Sequence, residues 1–273
     1  MAVFARKSTF AAVAVAILGF TGGNAYAATC GNTSAGFENW KQEFGREAAG
    51  RGISNRALSA LAGTKYASKT ISADRNQHSF KLSLNQFMQK RGAKTIASKG
   101  KALKKQNAKL FASIEQRYGV PAGPLIAIWG METGFGGFMG NQNTLSAVAT
   151  LAYDCRRSAF FTEQLYAALK LVENGTISAN TIGAAHGEIG QTQFLPANVL
   201  KYGADGDGNG RIDMIKSRAD ALASTANFLR GHGWRAGAGY QPGQANFGAL
   251  QGWNAASVYQ QAIAIIGAEI DGN

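Results

Sequence analysis

The chain has 273 residues, a formal net charge of +12 and only two cysteines. Its length suits one large domain, or a core with a smaller lobe. Beyond the first 27 residues no segment is long and apolar enough to anchor it in a membrane, which excludes a helical integral membrane protein.

Residues 1–27 read as a secretory signal peptide. Arg6 and Lys7 form a short cationic region, an apolar run from Phe10 to Phe20 follows, and Ala25-Tyr26-Ala27 fits the small-x-small cleavage rule. Thr21 to Asn24 interrupt the apolar run before it can span a bilayer. The mature chain then begins near Ala28, is exported, and is soluble in the periplasm. Cys30 and Cys155 are an even pair in an oxidising compartment, so a disulfide stapling the mature N-terminus to mid-chain is expected.

The positive charge is local. No Asp or Glu occurs between Arg75 and Ile114, while Lys90, Arg91, Lys94, Lys99, Lys101, Lys104, Lys105 and Lys109 cluster there. Such a stripe could serve nucleic acid, but export removes that partner, so no nucleic acid is expected. An anionic envelope polymer or surface fits better; for any single lysine a solvated helix face is the plainer account.

Helical periodicity, or a run of good helix formers, covers 37–50, 54–62, 76–91, 101–118, 121–132, 144–153, 160–174, 217–231 and 253–266. Strand-like alternation is scarce, so the fold class is mainly α. Glycine-rich segments at 134–140, 183–190 and 203–210 punctuate the second half, and Gly237–Gly248 reads as a loose polar connection. The division expected is an N-terminal helical lobe over 28–115 and a core over 116–273.

Within the 121–132 helix, Pro121 and Pro124 suit the first turn. Leu125, Ile128, Trp129 and Glu132 then fall on one face, before Gly134, Gly136 and Gly137 end the helix. A glutamate on the buried face, at the negative end of the helix dipole and with no evident cation, loses solvation. Both effects favour its neutral form, which is how a carboxyl is kept as a general acid near neutral pH. The bland alternative is a Glu that snorkels to the surface from a helix end.

Further on, DGDGNGRIDMIK spans 205–216. Asp205, Asp207 and Asn209 hold positions 1, 3 and 5 of an EF-hand-like loop, Gly210 the turn, and Ile212 the apolar eighth position. Arg211 would offer its carbonyl and Asp213 would act at position 9. Position 12 is Lys216 instead of a bidentate Glu, and Asp220 is the nearest closing carboxylate. A structural Ca²⁺ is the expected ligand; without it the segment is a flexible polar turn.

The stretch IWGMETGFGGFMGNQNTLSAVATLAYDCRR resembles the catalytic segment of the lytic murein transglycosylases of the B type. Their pattern is an apolar helix, Gly-x-Glu-Thr, an aromatic-Gly pair, and an Ala-rich helix ending at paired arginines. Asp74-Arg75-Asn76-Gln77 with Phe80 resembles the family's Asp-Arg-x-Gln segment. GQTQFLP (190–196) resembles its Gly-x-x-Gln-aromatic-x-Pro loop, and Ala219-Asp220-Ala221 through His232-Gly233-Trp234 resembles the helix ending in His-Gly-Trp. Trp253-Asn254 with Tyr259 resembles its C-terminal aromatic-Asn. The family also carries an EF-hand-like loop at 205–216.

The resemblance implies a lysozyme-like catalytic core that cleaves the β-1,4 bond between N-acetylmuramic acid (MurNAc) and N-acetylglucosamine (GlcNAc) of peptidoglycan glycan strands, without adding water and with no cofactor for catalysis. Ordinary glycosidases use two carboxylates; here one would suffice, because the muramic acid's C6 hydroxyl completes the reaction. Glu132 would protonate the departing oxygen and then take the C6 hydroxyl proton, leaving a 1,6-anhydro end. Carried over by motif, Gln193 would hydrogen-bond sugar near the scissile bond, with Phe194 packing beside it. Trp253, Asn254 and Tyr259 would line the cleft, and Arg156 and Arg157 would meet the anionic peptide or lactyl part.

The chain departs from the family in several places. Trp253 replaces a tyrosine, which puts a hydroxyl contact in doubt; Phe160 also replaces a tyrosine, and Ala184 a serine. His186 and Glu188 replace a small apolar pair. For the cleft residues the plain alternative is core packing or capping, weakest for Gln193 and strongest for Tyr259. Glu188 could position water and favour hydrolysis, orient the N-acetyl group, bind Arg156 or Arg157, or sit in solvent. Three functions therefore stand open: the transglycosylase, a lysozyme-type hydrolase, and a non-catalytic glycan-binding envelope protein.

Overall fold

The computed structural model describes residues 28–76 and 82–272. The signal-peptide expectation, Gln77 and Phe80 lie outside the described residues. Helices account for nearly all regular structure among the described residues; the strands there are β1 (Gln142–Asn143) and β2 (Ile182–Gly183).

The first half carries α1 (Phe37–Gly50), α2 (Asn55–Ala62), α3 (Ser68–Arg75), α4 (Leu84–Lys90), α5 (Ala93–Gln106) and α6 (Ala108–Tyr118). Local capping sets several starts. Ser54 Oγ accepts the Ala57 N–H at the head of α2. Ser83 and Gln86 exchange side-chain and backbone bonds as a capping box for α4. The single helix expected over 101–118 is two, because Asn107 leaves helical geometry at φ −116° and bonds back to the Leu103 carbonyl at 2.8 Å. Helix α3 went unpredicted: its sequence is polar, and it is held from outside by its neighbour α8.

The core helix is α7 (Ala122–Thr133). Every residue from Ala122 to Met131 is buried, so its apolar character runs all round rather than along one stripe. It packs against α13 (Ser257–Asp271) and α5, with α6 and α11 (Arg218–Gly231) also in contact. Helix α8 (Thr144–Tyr153) pairs with α9 (Ser158–Glu173), which also holds α2 and α10 (Pro196–Tyr202). One hydrophobic cluster runs from Phe37 to Ile270.

Two expectations near the C-terminus need correction. The helix expected over 253–266 is α12 (Phe247–Trp253) followed by a break and α13. Asn254 is extended there, and its Oδ1 accepts the Ala256 N–H at 2.9 Å. The segment from Gly237 is also not loose. Fully buried Asn246 bonds the Arg235 N–H and carbonyl and the Ala238 carbonyl, pinning the loop from within.

Cys30 and Cys155 form a disulfide across 125 residues. Beside it Gly31 N–H donates to the Tyr153 carbonyl at 2.9 Å, and Tyr153 OH to the Thr33 carbonyl at 2.8 Å. The segment from Ala28 to Thr33 is thereby laid against the end of α8.

Candidate active site

Three chain segments meet around the C-terminus of α7. Gly134 closes the helix in the left-handed region at φ 59°, its N–H on the Gly130 carbonyl. Thr133 then fastens the other two segments. Its hydroxyl donates to the Gln191 carbonyl at 2.6 Å and accepts the Gly136 N–H at 2.8 Å. Strands β1 and β2 pair antiparallel, Gln142 opposite Gly183, tying the 134–140 loop to the 183–190 loop. In the tight reversal that follows, Ile189 and Phe194 exchange backbone bonds, and Gln193 itself sits at φ 56°. A Cβ on Gly190 would lie 2.2 Å from the Met214 carbonyl, so only glycine admits this approach.

These loops and α12 bound a cleft of about 300 Å³ lined by Glu132, Glu188, Gln193, Phe194, Leu195, Asn198, Phe228, Trp253 and Asn254. Glu132 is half-buried. Its Oε1 accepts two hydrogen bonds, from Tyr259 OH at 2.7 Å and Trp253 Nε1 at 3.0 Å. Burial raises its pKa, against the lowering effect of those two donors and of the Arg91 charge. The expectation that no cation stands near is thus corrected: Arg91, bonded to the Met131 carbonyl and lying over the Tyr259 ring, is that cation. With Oε1 occupied as a double acceptor, the proton of the neutral carboxyl resides on Oε2.

Tyr259 is 4% exposed and packs on Phe87, yet its hydroxyl is aimed at Glu132. Burial and the neighbouring Glu132 charge push that hydroxyl well above its ordinary pKa, so it stays a donor. Expected to line the cleft, Tyr259 stands behind Glu132 instead, and core packing, its plain alternative, is only half its account. Trp253, where a hydroxyl contact was in doubt, supplies an indole N–H to the same oxygen, and its ring meets Phe194 and Phe228 edge-on. Gln193 Nε2 donates to the Gly190 carbonyl at 2.9 Å and approaches the Met139 carbonyl at 3.4 Å, bridging the two glycine loops.

Arg156 and Arg157 do not line this cleft. Both hold the carboxylate of Asp74, 4% exposed, which Arg75 also touches. Burial works against the charge on Asp74, but the bonds and charges of Arg156 and Arg157 outweigh it and lower its pKa. Glu188 binds neither arginine; it faces His186 instead. The roles of Thr133, Asp74 and Arg91 were not read from the sequence. Thr133 and Asp74 stood inside quoted motifs, and only their partners on distant segments disclose them.

At the 205–216 loop, Asp205 accepts backbone N–H bonds from Gly208, Asn209 and Gly210, and Asp207 accepts the Ser217 hydroxyl. Asp220 is fully buried at the start of α11; its two oxygens accept the Gly206 and Asp213 N–H groups. One oxygen each from Asp205, Asp207 and Asp220 converge within 4.8 Å. Three hard oxygen donors at that spacing fit a Ca²⁺-type cation. Asp213 is outside this group; its Oδ1 accepts the Ile215 and Lys216 N–H groups.

Similar proteins agree with this architecture. The crystal structure of SltB3 from Pseudomonas aeruginosa in complex with NAG-anhNAM-pentapeptide superposes with a TM-score of 0.80 at 29% identity, over 87% of this chain and 80% of that one. Escherichia coli Slt35 in complex with calcium superposes at 0.74 over 90% of this chain and 96% of that one; at 21% identity this likeness speaks to the fold alone. Membrane-bound lytic murein transglycosylase B of Escherichia coli (strain K12) is 35% identical over 124 residues, 45% of this chain but only 34% of that protein's length. A family model described as the transglycosylase SLT domain matches residues 36–242. With most of its length inside that match, the chain belongs to the transglycosylase SLT domain family.

Proposed function

We propose that the chain is a lytic murein transglycosylase that cleaves the β-1,4 MurNAc–GlcNAc bond of peptidoglycan and leaves 1,6-anhydro-MurNAc ends. The observation that carries it is Glu132: a half-buried carboxyl with a raised pKa in the cleft, its Oε1 engaged by Tyr259 and Trp253. Glu132 Oε2–H protonates the leaving oxygen. The two donors on Oε1 steady the carboxylate that results, and it then takes the C6 hydroxyl proton as C6 oxygen bonds to C1. General acid–base help of this kind is worth on the order of 10²–10⁴ in rate. The tethered hydroxyl outcompetes water through its high effective concentration. None of these steps calls on a metal.

Gln193, Trp253 and Asn254 contact sugar in the cleft, with Phe194 packed beside them on Trp253 and Phe228. Arg156 and Arg157, anchored on Asp74, meet the anionic part of the substrate with the edges they leave exposed. Asp205, Asp207 and Asp220 would hold a structural Ca²⁺, with Asn209 and the Arg211 carbonyl as further oxygen donors, and it would stiffen the loop; Asp213 serves the turn rather than the ion. The Met214 and Ile215 carbonyls accept the Gln191 N–H and Nε2, so that loop braces the Gln193 reversal. The protein works in the periplasm, reached through the 1–27 signal. No helix among the described residues is long and apolar enough to cross a membrane.

Digestion of murein in ¹⁸O-labelled water tests the reading. Unlabelled 1,6-anhydromuropeptides and no new reducing ends are expected. Labelled reducing muramic acid as main product would establish a hydrolase, and intact murein a non-catalytic binder.

A further inference from the structure

The cleft holds a second carboxylate that the Glu132 chemistry leaves unused. Glu188 lies between β2 and α10, its side chain 22% exposed, and lines the same cavity as Glu132. Its Oε2 accepts the His186 backbone N–H at 2.9 Å, and its Oε1 faces His186 Nδ1 at 3.1 Å. A carboxylate only accepts, so the hydrogen of the second contact is on Nδ1. The far nitrogen, Nε2, lies 3.7 Å from Asp74 Oδ1, and Asp74 is itself clamped by Arg156 and Arg157.

The chain of contacts thus runs from the cleft through Glu188, His186 and Asp74 to two guanidinium groups. A glutamate that merely reached for solvent would need no such support; the backbone N–H and the ring N–H of His186 together fix the Glu188 carboxylate in one orientation. Burial opposes the charge on Glu188, but the hydrogen bond and charge of His186 outweigh it and lower its pKa, while burial raises that of Glu132. Two carboxyls of one cleft pushed in opposite directions take opposite roles.

We propose that Glu188 is a second catalytic carboxylate, held as an anion by His186, which stabilises through space the positive charge that develops at muramic acid C1. The proposal rests on the transglycosylase reading. No bond forms to Glu188 and no water is consumed. The proton passes from Glu132 to the leaving oxygen, C6 oxygen bonds to C1, and the C6 hydroxyl proton returns to Glu132, so Glu188 begins and ends ionised. His186 is its positioning residue.

Preorganised electrostatic groups of this kind are worth about 10²–10³ in turnover. In purified protein acting on murein glycan strands, Glu188→Gln should lower kcat by about 10²-fold. KM and melting temperature should hold, and the residual product should still be anhydro. Glu188→Asp, which keeps the charge, should recover part of the loss. His186→Gln should lower kcat in the wild-type background and add little in the Glu188→Gln background. Wild-type turnover in Glu188→Gln would overturn the proposal, as would a loss matched by weaker glycan binding or a lower melting temperature in both Glu188 variants. Failure of the transglycosylase reading would show instead in the wild-type product. Labelled reducing ends there that vanish in Glu188→Gln would make Glu188 a water-activating base and overturn the through-space role.

Discussion

Replacing Tyr259 with phenylalanine removes one oxygen atom and leaves the buried ring on Phe87 and under Arg91. Glu132 Oε1 then keeps only the Trp253 Nε1 donor at 3.0 Å, having lost the one at 2.7 Å. A hydrogen bond to an ionised group is worth about 1.5–3 kcal/mol and one between neutral groups about 0.5–1.5 kcal/mol. The difference, about 1–1.5 kcal/mol, falls on the state in which Glu132 has surrendered its proton. At about 1.36 kcal/mol per tenfold, kcat should drop about 5–15-fold. KM should barely move, since Tyr259 stands behind the carboxyl and does not line the cleft. The Tyr259 bond lowers the Glu132 pKa, so losing it raises that pKa, and the alkaline limb of the kcat/KM profile should shift to higher pH. Muropeptide release measured across pH reads both effects. A variant with wild-type kcat and an unmoved limb, or with the limb shifted down, would refute the role given to this pair.

Glu132→Gln should abolish turnover while glycan binding, followed by co-sedimentation with murein, persists; retained clearing would remove Glu132 from the mechanism. The same variant reports on stability. The folded protein holds the Glu132 proton more tightly than the unfolded chain, so the stability this group carries is full at low pH and is lost as pH rises through the raised folded pKa. Calorimetry should therefore show the melting temperature of Glu132→Gln gaining on wild type between pH 4 and pH 8, and an equal gap at both would contradict the burial account. Breaking the Cys30–Cys155 bridge, which spans 125 residues, should cost about 2–4 kcal/mol. At about 2–4 °C per kcal/mol in a domain of this size, that is a fall of about 5–15 °C, and an unchanged melting curve for the double serine variant would refute it. Ca²⁺ at about 100 times its dissociation constant should stabilise the chelator-treated protein by about 2.7 kcal/mol. Asp207→Asn should abolish the gain, and a calcium response that survives in that variant would move the ion elsewhere.

Much of the molecule was legible in the sequence because it is built from local rules. Helices α1, α8 and α11 declare themselves through their helix formers and apolar spacing and α7 through its apolar run, while Gly134, Asn143 and Ser217 mark ends of α7, α8 and α11, since capping and left-handed stops are satisfied within a few residues. The ordered motifs placed Glu132 at a helix end and an acidic loop at 205–216. Burial of the glutamate beside a glycine stop could be argued from one turn of helix. What only the tertiary structure decided is pairing between groups far apart in the chain. Glu132 meets Tyr259 and Trp253 across more than a hundred residues, and Arg156 and Arg157 turn to Asp74 rather than into the cleft. Glu188 turns to His186 instead of solvent, and the link onward to Asp74 closes over a hundred positions. Periodicity reports which face of a helix is buried but not what is buried against it. The partner, which sets the charge and the proton of each carboxyl, is chosen by packing alone.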